Sequence, residues 1–144
     1  MKLGVALAGG GLKGVAYIGA IKALEELGVK IDYISGTSSG SLAAVLYSVG
    51  CNCNEMKDII SNSYEGLTKI QKMPIISSIG TYITSKKLKI EGLIPGERLE
   101  DLVQNIVEQK SFSNISDIKI PLAVSTVDTV STKECIFMSK NFKS

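Results

Sequence analysis

The sequence predicts an α/β domain built on a largely parallel sheet, on three observations. Short apolar runs alternate with segments of helical periodicity, the rhythm of βαβ units. Glycine clusters, Gly9-Gly10-Gly11 and Gly36 to Gly40, fall where a strand should hand over to a helix. In 144 residues, 44% are hydrophobic and 21% charged, the balance of one globular domain with a real core.

Lys2 to Ala8 reads as a buried strand stopped by the glycine triplet. From Leu12 to Leu27 the apolar positions Tyr17, Ala20, Ile21, Leu24 and Leu27 recur at helical spacing, and Gly28 is a natural C-cap. Val29 to Ser35 is the second strand, and Ser41 to Val49 a helix closed by Gly50. Asn54 can cap a further helix carrying Met56, Ile59, Ile60 and Tyr64. Gly66 to Leu93 fits no regular pattern; its apolar residues are bracketed by Lys69 and Lys72 before and Lys86, Lys87 and Lys89 after. Pro95-Gly96-Glu97 opens a helix whose stripe is Leu99, Leu102, Val103, Ile106 and Val107. Asp117 to Val127 holds a third strand, and Glu134 to Met138 a fourth after a polar turn. No repeat, low-complexity tract or linker divides residues 1–144, which read as a single domain.

Composition removes several functions. A net charge of +2 and few aromatic residues give no footprint for nucleic acid. Zero histidines exclude a Ser-His-Asp triad and any imidazole zinc site. Cys51, Cys53 and Cys135 are odd in number and read as reduced thiols rather than metal ligands, so no metal or organic cofactor is implied. The run Met1 to Ala8 is too short for a secretory leader, and no stretch approaches the roughly 20 apolar residues of a membrane span. The expected location is cytoplasmic.

The chemistry centres on Gly36-Thr37-Ser38-Ser39-Gly40, a serine two positions from each of two glycines between a strand and a helix. That is the requirement of a nucleophile elbow: a turn too tight for side chains at Gly36 and Gly40, with the Ser38 hydroxyl exposed over a helix N-terminus. The first cluster, Gly9-Gly10-Gly11-Leu12-Lys13-Gly14, also matches a dinucleotide fingerprint at Gly9, Gly11 and Gly14. The acid that fingerprint needs would be Asp32, which falls inside the second strand, and that strand ends in the serine elbow where a ribose would need room. The competing reading makes the loop an oxyanion hole for Ser38, whose donors stabilise a tetrahedral intermediate by about 3–4 kcal/mol each. Glycines that merely allow close helix–strand packing are the plainer alternative.

With both motifs in view, the chain resembles the patatin-like phospholipases, and the likeness extends to Ile120-Pro121-Leu122-Ala123-Val124-Ser125-Thr126-Val127-Asp128. The resemblance implies a three-layer α/β/α fold and a lipid acyl hydrolase that uses a serine–aspartate dyad. Ser38 would be the nucleophile, and the N–H groups of Gly10 and Gly11 the oxyanion hole. Lys13 stands where many members have arginine; it would orient the loop or meet a phosphate headgroup, or be a solvated lysine. The family's catalytic aspartate precedes a glycine, and this sequence contains no Asp-Gly. Asp128 matches a non-catalytic aspartate of the family. The expectation is therefore the N-terminal portion of a longer domain, inactive alone or completed by another segment or chain that supplies the aspartate. Its partner would be a phospholipid or other acyl-ester lipid. The lysine-flanked 66–93 segment would make peripheral membrane contact or be an irregular connection. A catalytically inactive binding or regulatory module is the alternative, and a nucleotide-binding domain the third.

Overall fold

The computed structural model describes residues 2–70 and 96–140. Among these, four strands lie in the sheet in chain order: β1 (Gly4–Leu7), β2 (Tyr33–Thr37), β3 (Leu122–Val127) and β4 (Glu134–Met138). The first three are parallel and β4 returns antiparallel to β3, so the sheet is mixed but mostly parallel, as predicted. Register puts Leu7, Gly36 and Val124 side by side on one face and Ala6, Ser35, Ala123 and Met138 on the other.

The helices are α1 (Val15–Glu26), α2 (Ser39–Ser48), α3 (Cys53–Ile70) and α4 (Gly96–Gln109). α2 lies on the Gly36 face against β1, β2 and β3, which is why Ala43, Ala44 and Leu46 are fully buried. Ile21, Ile31, Ile34, Met56, Ile60 and Leu122 complete the centre of the core. At about 25 cal/mol per Å² of apolar surface, this burial is the main force holding helices to sheet.

Several boundaries move, each for a local reason. The helix expected from Leu12 begins as a 3-10 turn, Gly11–Gly14, because Gly11 has φ +55° and Gly14 presses on Ser39. α1 then ends as predicted at Gly28 (φ +69°): the Gly28 N–H bonds the Glu25 carbonyl and the Val29 N–H the Leu24 carbonyl, both at 2.9 Å. β2 starts at Tyr33, not Val29, because only there does the Leu3 carbonyl accept N–H groups, those of Asp32 and Tyr33. Asp32 thus precedes the strand, and its carboxylate accepts the Leu3 N–H at 2.8 Å.

α2 starts two residues earlier than Ser41, at Ser39. The cap of α3 is Asn52, not Asn54. Asn52 Oδ1 accepts the N–H groups of Asn54 and Glu55 at 3.0 Å, and Glu55 accepts the Asn52 N–H at 2.8 Å, a reciprocal capping box. The helix runs on through Ile70, so the start of the 66–93 segment is helical; 71–93 lies outside the described residues. β3 starts at Leu122 rather than Asp117, because a capped 3-10 turn at Ile115–Asp117 uses the residues before it.

Candidate active site

The C-terminal ends of β1 and β2 lie side by side, and each opens into one of the two glycine motifs. Ser38 follows β2 directly, is the N-cap of α2, and is exposed. Its backbone sits at φ 52°, ψ −125°, a left-handed conformation that L-residues seldom adopt. The strain comes from the turn. A Cβ on Gly36 would strike the Gly40 carbonyl, and one on Gly40 would strike the Leu7 carbonyl. With β1, β2 and α2 that close, the chain can join strand to helix only by throwing Ser38 outward.

The turn is tied down on the inside. The Ser38 carbonyl accepts the Ser41 N–H at 2.9 Å and also the Ser41 hydroxyl. The positive end of the α2 dipole therefore lies beneath the Ser38 side chain. The Ser39 hydroxyl, buried against Gly14, has no hydrogen-bond partner in the structure.

The glycine loop lies against this elbow. A Cβ on Gly9 would be 3.2 Å from Ser38 Cβ and 3.9 Å from Ser38 Oγ. Gly10 precedes the 3-10 turn and its carbonyl accepts the Lys13 N–H at 3.1 Å. Gly10, Gly11 and Lys13 are exposed, whereas Gly14 is buried under α2. Two side chains whose sequence context assigns them no such role hold this region. The Tyr17 hydroxyl donates to the Ala8 carbonyl at 2.7 Å, fixing the point where the loop leaves β1. The hydroxyls of Thr37 and Ser125 meet at 2.6 Å, joining β2 to β3 beside Ser38. A tyrosine three residues into a helix and a lone strand serine carry no sequence signal for such roles.

No hydrogen bond joins Ser38 Oγ to a carboxylate among the described residues. Asp128, the nearest acid in chain order after β3, has both oxygens committed to the β3–β4 turn. Oδ2 accepts the Ser131 hydroxyl at 2.6 Å and Oδ1 the Val130 N–H at 3.0 Å. These bonds, the Ser131 one foremost, hold its carboxyl below the usual aspartate range, the wrong direction for a proton acceptor.

Beside the elbow, a groove of about 440 Å³ runs along the sheet face opposite α2, between Ala6, Ser35, Thr37, Ser125, Ile136 and Met138. Elsewhere the three cysteines are unpaired; burial first, then Glu25, pushes the Cys53 thiol up, and burial pushes Cys51 up. The described residues contain no group of three or more acidic or sulfur ligands suited to a metal ion.

A mostly parallel α/β sheet with a strained serine turn set against a glycine loop defines the class. The sequence profile of the patatin-like phospholipases matches residues 5–143, and the chain belongs to that family. Over 46 residues it is 56% identical to lysophospholipase NTE1 of Coccidioides immitis and 52% to lysophospholipase nte1 of Aspergillus fumigatus, covering 32% of this chain and 3% of each relative. A third relative, lysophospholipase NTE1 of Mycosarcoma maydis, is 52% identical over 48 residues. Among solved structures, a chain of the heterodimeric ExoU–SpcU complex from the type III secretion system of Pseudomonas aeruginosa aligns with a TM-score of 0.52 and 21% identity. That alignment covers 95% of this chain and 32% of the other, and it shows the shared fold. The chain thus spans a third or less of these proteins.

Proposed function

We propose that this chain carries the nucleophile half of a lipid acyl hydrolase of the phospholipase A or lysophospholipase type. The observation that carries the reading is the left-handed Ser38 at the tip of the β2–α2 turn, with Gly9 against its side chain. In the reaction Ser38 Oγ attacks the acyl carbonyl and its proton passes to an aspartate. The carbonyl oxygen gains the negative charge, which the N–H groups of Gly10 and Gly11 and the α2 dipole stabilise. The leaving alcohol departs with the proton. Water, deprotonated by the same aspartate, then frees the fatty acid from Ser38.

The aspartate comes from a further segment or another chain, because Asp128 is held in its turn. Lys13, exposed at the end of the glycine loop, offers a point charge to a phosphate headgroup. The groove beside Thr37 offers an acyl chain a mostly apolar wall. No helix among the described residues is long and apolar enough to cross a membrane. In this reading the lipid is met at a membrane surface, from a cytoplasmic position. The same lack of a carboxylate at Ser38 favours a second reading, a family member that binds lipid without turning it over.

The test uses the longest native product of the gene. Fluorophosphonate adds to Ser38, and fatty acid is released from lysophosphatidylcholine; both vanish in Ser38→Ala. A product that binds lysophosphatidylcholine but neither labels nor releases fatty acid establishes the second reading instead.

A further inference from the structure

Consecutive glycines have no side chains to fix where their N–H groups point, and each visits left- and right-handed backbone almost equally. An oxyanion hole works only when its donors are aimed before the charge develops. The aim of the Gly10 and Gly11 amides is therefore set from the two ends of the loop. At the exit, the Gly10 carbonyl accepts the Lys13 N–H, and Gly14 presses on Ser39 so closely that a Cβ would come within 2.8 Å of the serine Cβ. At the entry, the Ala8 carbonyl is wedged against the elbow, its oxygen 2.7 Å from where a Cβ on Gly40 would stand. The Tyr17 hydroxyl donates to that same oxygen at 2.7 Å.

The peptide joining Ala8 to Gly9 is planar, with its C=O and N–H in opposite directions. Holding the Ala8 oxygen toward α1 fixes the plane of this peptide, the direction of the Gly9 N–H and the place of the Gly9 Cα. A Cβ on that carbon would lie 3.2 Å from Ser38 Cβ, so the held peptide delivers the loop directly to the serine. Tyr17 itself is fixed. Its helix neighbours Ile18 and Ile21 are buried, and its ring packs on the same core cluster.

We propose that Tyr17 is a positioning residue for the acylation of Ser38. It touches no reacting atom and acts by aiming the glycine amides through the Ala8 carbonyl. The proposal rests on the hydrolase reading and adds to that site a residue outside both glycine motifs. Without the hydroxyl the 8–9 peptide rotates more freely and the amides lose their common aim. Stabilisation then falls only where charge develops on the acyl oxygen, so acylation slows while ground-state lipid binds as before.

The experiment compares the longest native product of the gene with its Tyr17→Phe variant, which keeps the ring and its packing. On lysophosphatidylcholine kcat falls about tenfold at unchanged KM, less than the roughly hundredfold that a 1 Å misplacement can cost. Two lysolipid analogues separate aim from packing. With a trifluoromethyl ketone, Ser38 Oγ adds to the ketone carbon, its proton passes to the aspartate, and the ketone oxygen becomes the oxyanion; its affinity falls in step with kcat. An ether analogue without a carbonyl binds both proteins equally. p-Aminophenylalanine at position 17, which places an N–H donor where the hydroxyl was, restores turnover and ketone affinity together. A native protein that releases no fatty acid overturns the hydrolase reading and this role with it. A native protein that turns lipid over, with Tyr17→Phe equally fast, overturns the role alone. Equal losses of affinity for the ketone and the ether do the same, since Tyr17 would then serve only the packing of the domain.

Discussion

The carbonyl oxygen of Gly40 occupies the space that a Cβ on Gly36 would need. Two glycines four residues apart thus hold the last turn of β2 and the first of α2 in direct backbone contact. Gly36→Ala forces strand and helix apart, and the obstacle is main chain rather than the end of a flexible side chain. Overpacking costs about 1–3 kcal/mol, and this position belongs at the upper end. The midpoint of urea denaturation should fall accordingly; an unchanged midpoint would mean that α2 does not rest on Gly36.

Ser38 stores strain that glycine would release. A non-glycine residue in a sparsely populated region costs about 1–3 kcal/mol, whereas the extra freedom of glycine in the unfolded chain costs about 0.4–1 kcal/mol. Ser38→Gly should therefore raise stability by about 1 kcal/mol in the same urea experiment while removing the only hydroxyl at that position. A gain in stability accompanied by loss of fatty-acid release from the longest native product would be the signature of a functional site. A loss would show that φ 52° is comfortable for serine here.

Strand–helix alternation and the two glycine motifs made the α/β class and the Ser38 turn legible, because both depend on local sequence. The limits of β1, β2 and β3 were not, since pairing decides them: Leu3 reaches across to Asp32 and Tyr33, thirty residues away in sequence. Tyr17 and Ser125 escaped for the same reason, each acting on a residue that only folding brings near. Asn52 is different. The pattern Asn52-Cys53-Asn54-Glu55 is a capping box in plain sight, obscured by a second asparagine two positions on.

That box gives a clean comparison between neighbours. Asn52→Ala removes the acceptor of two helix N–H groups and should cost about 1 kcal/mol. Asn54→Ala, inside the first turn, should lie within about 0.5 kcal/mol of the native protein. Equal losses at the two positions would mean that the helix starts later than Cys53.

Glu55 also ties α3 to Lys110, the residue just past the end of α4, and its ionisation makes that link depend on pH. The Asn52 N–H first, and then Lys110 at 2.9 Å, hold the Glu55 carboxyl below its usual value, and Glu55 holds the Lys110 ammonium above its own. A depressed carboxyl contributes stability above the unfolded value near 4.5, lost as pH falls through the folded one. A raised ammonium contributes below the unfolded value near 10.5, lost as pH rises past the folded one. Glu55→Gln should therefore flatten both limbs of the stability–pH curve relative to the native protein. Lys110→Met should abolish the alkaline part yet keep much of the acid part, because the largest influence on Glu55 is the backbone of Asn52. Urea midpoints measured from pH 3 to 5 and again above pH 10 separate the two variants; identical acid limbs would show that Lys110, and not the cap, governs Glu55.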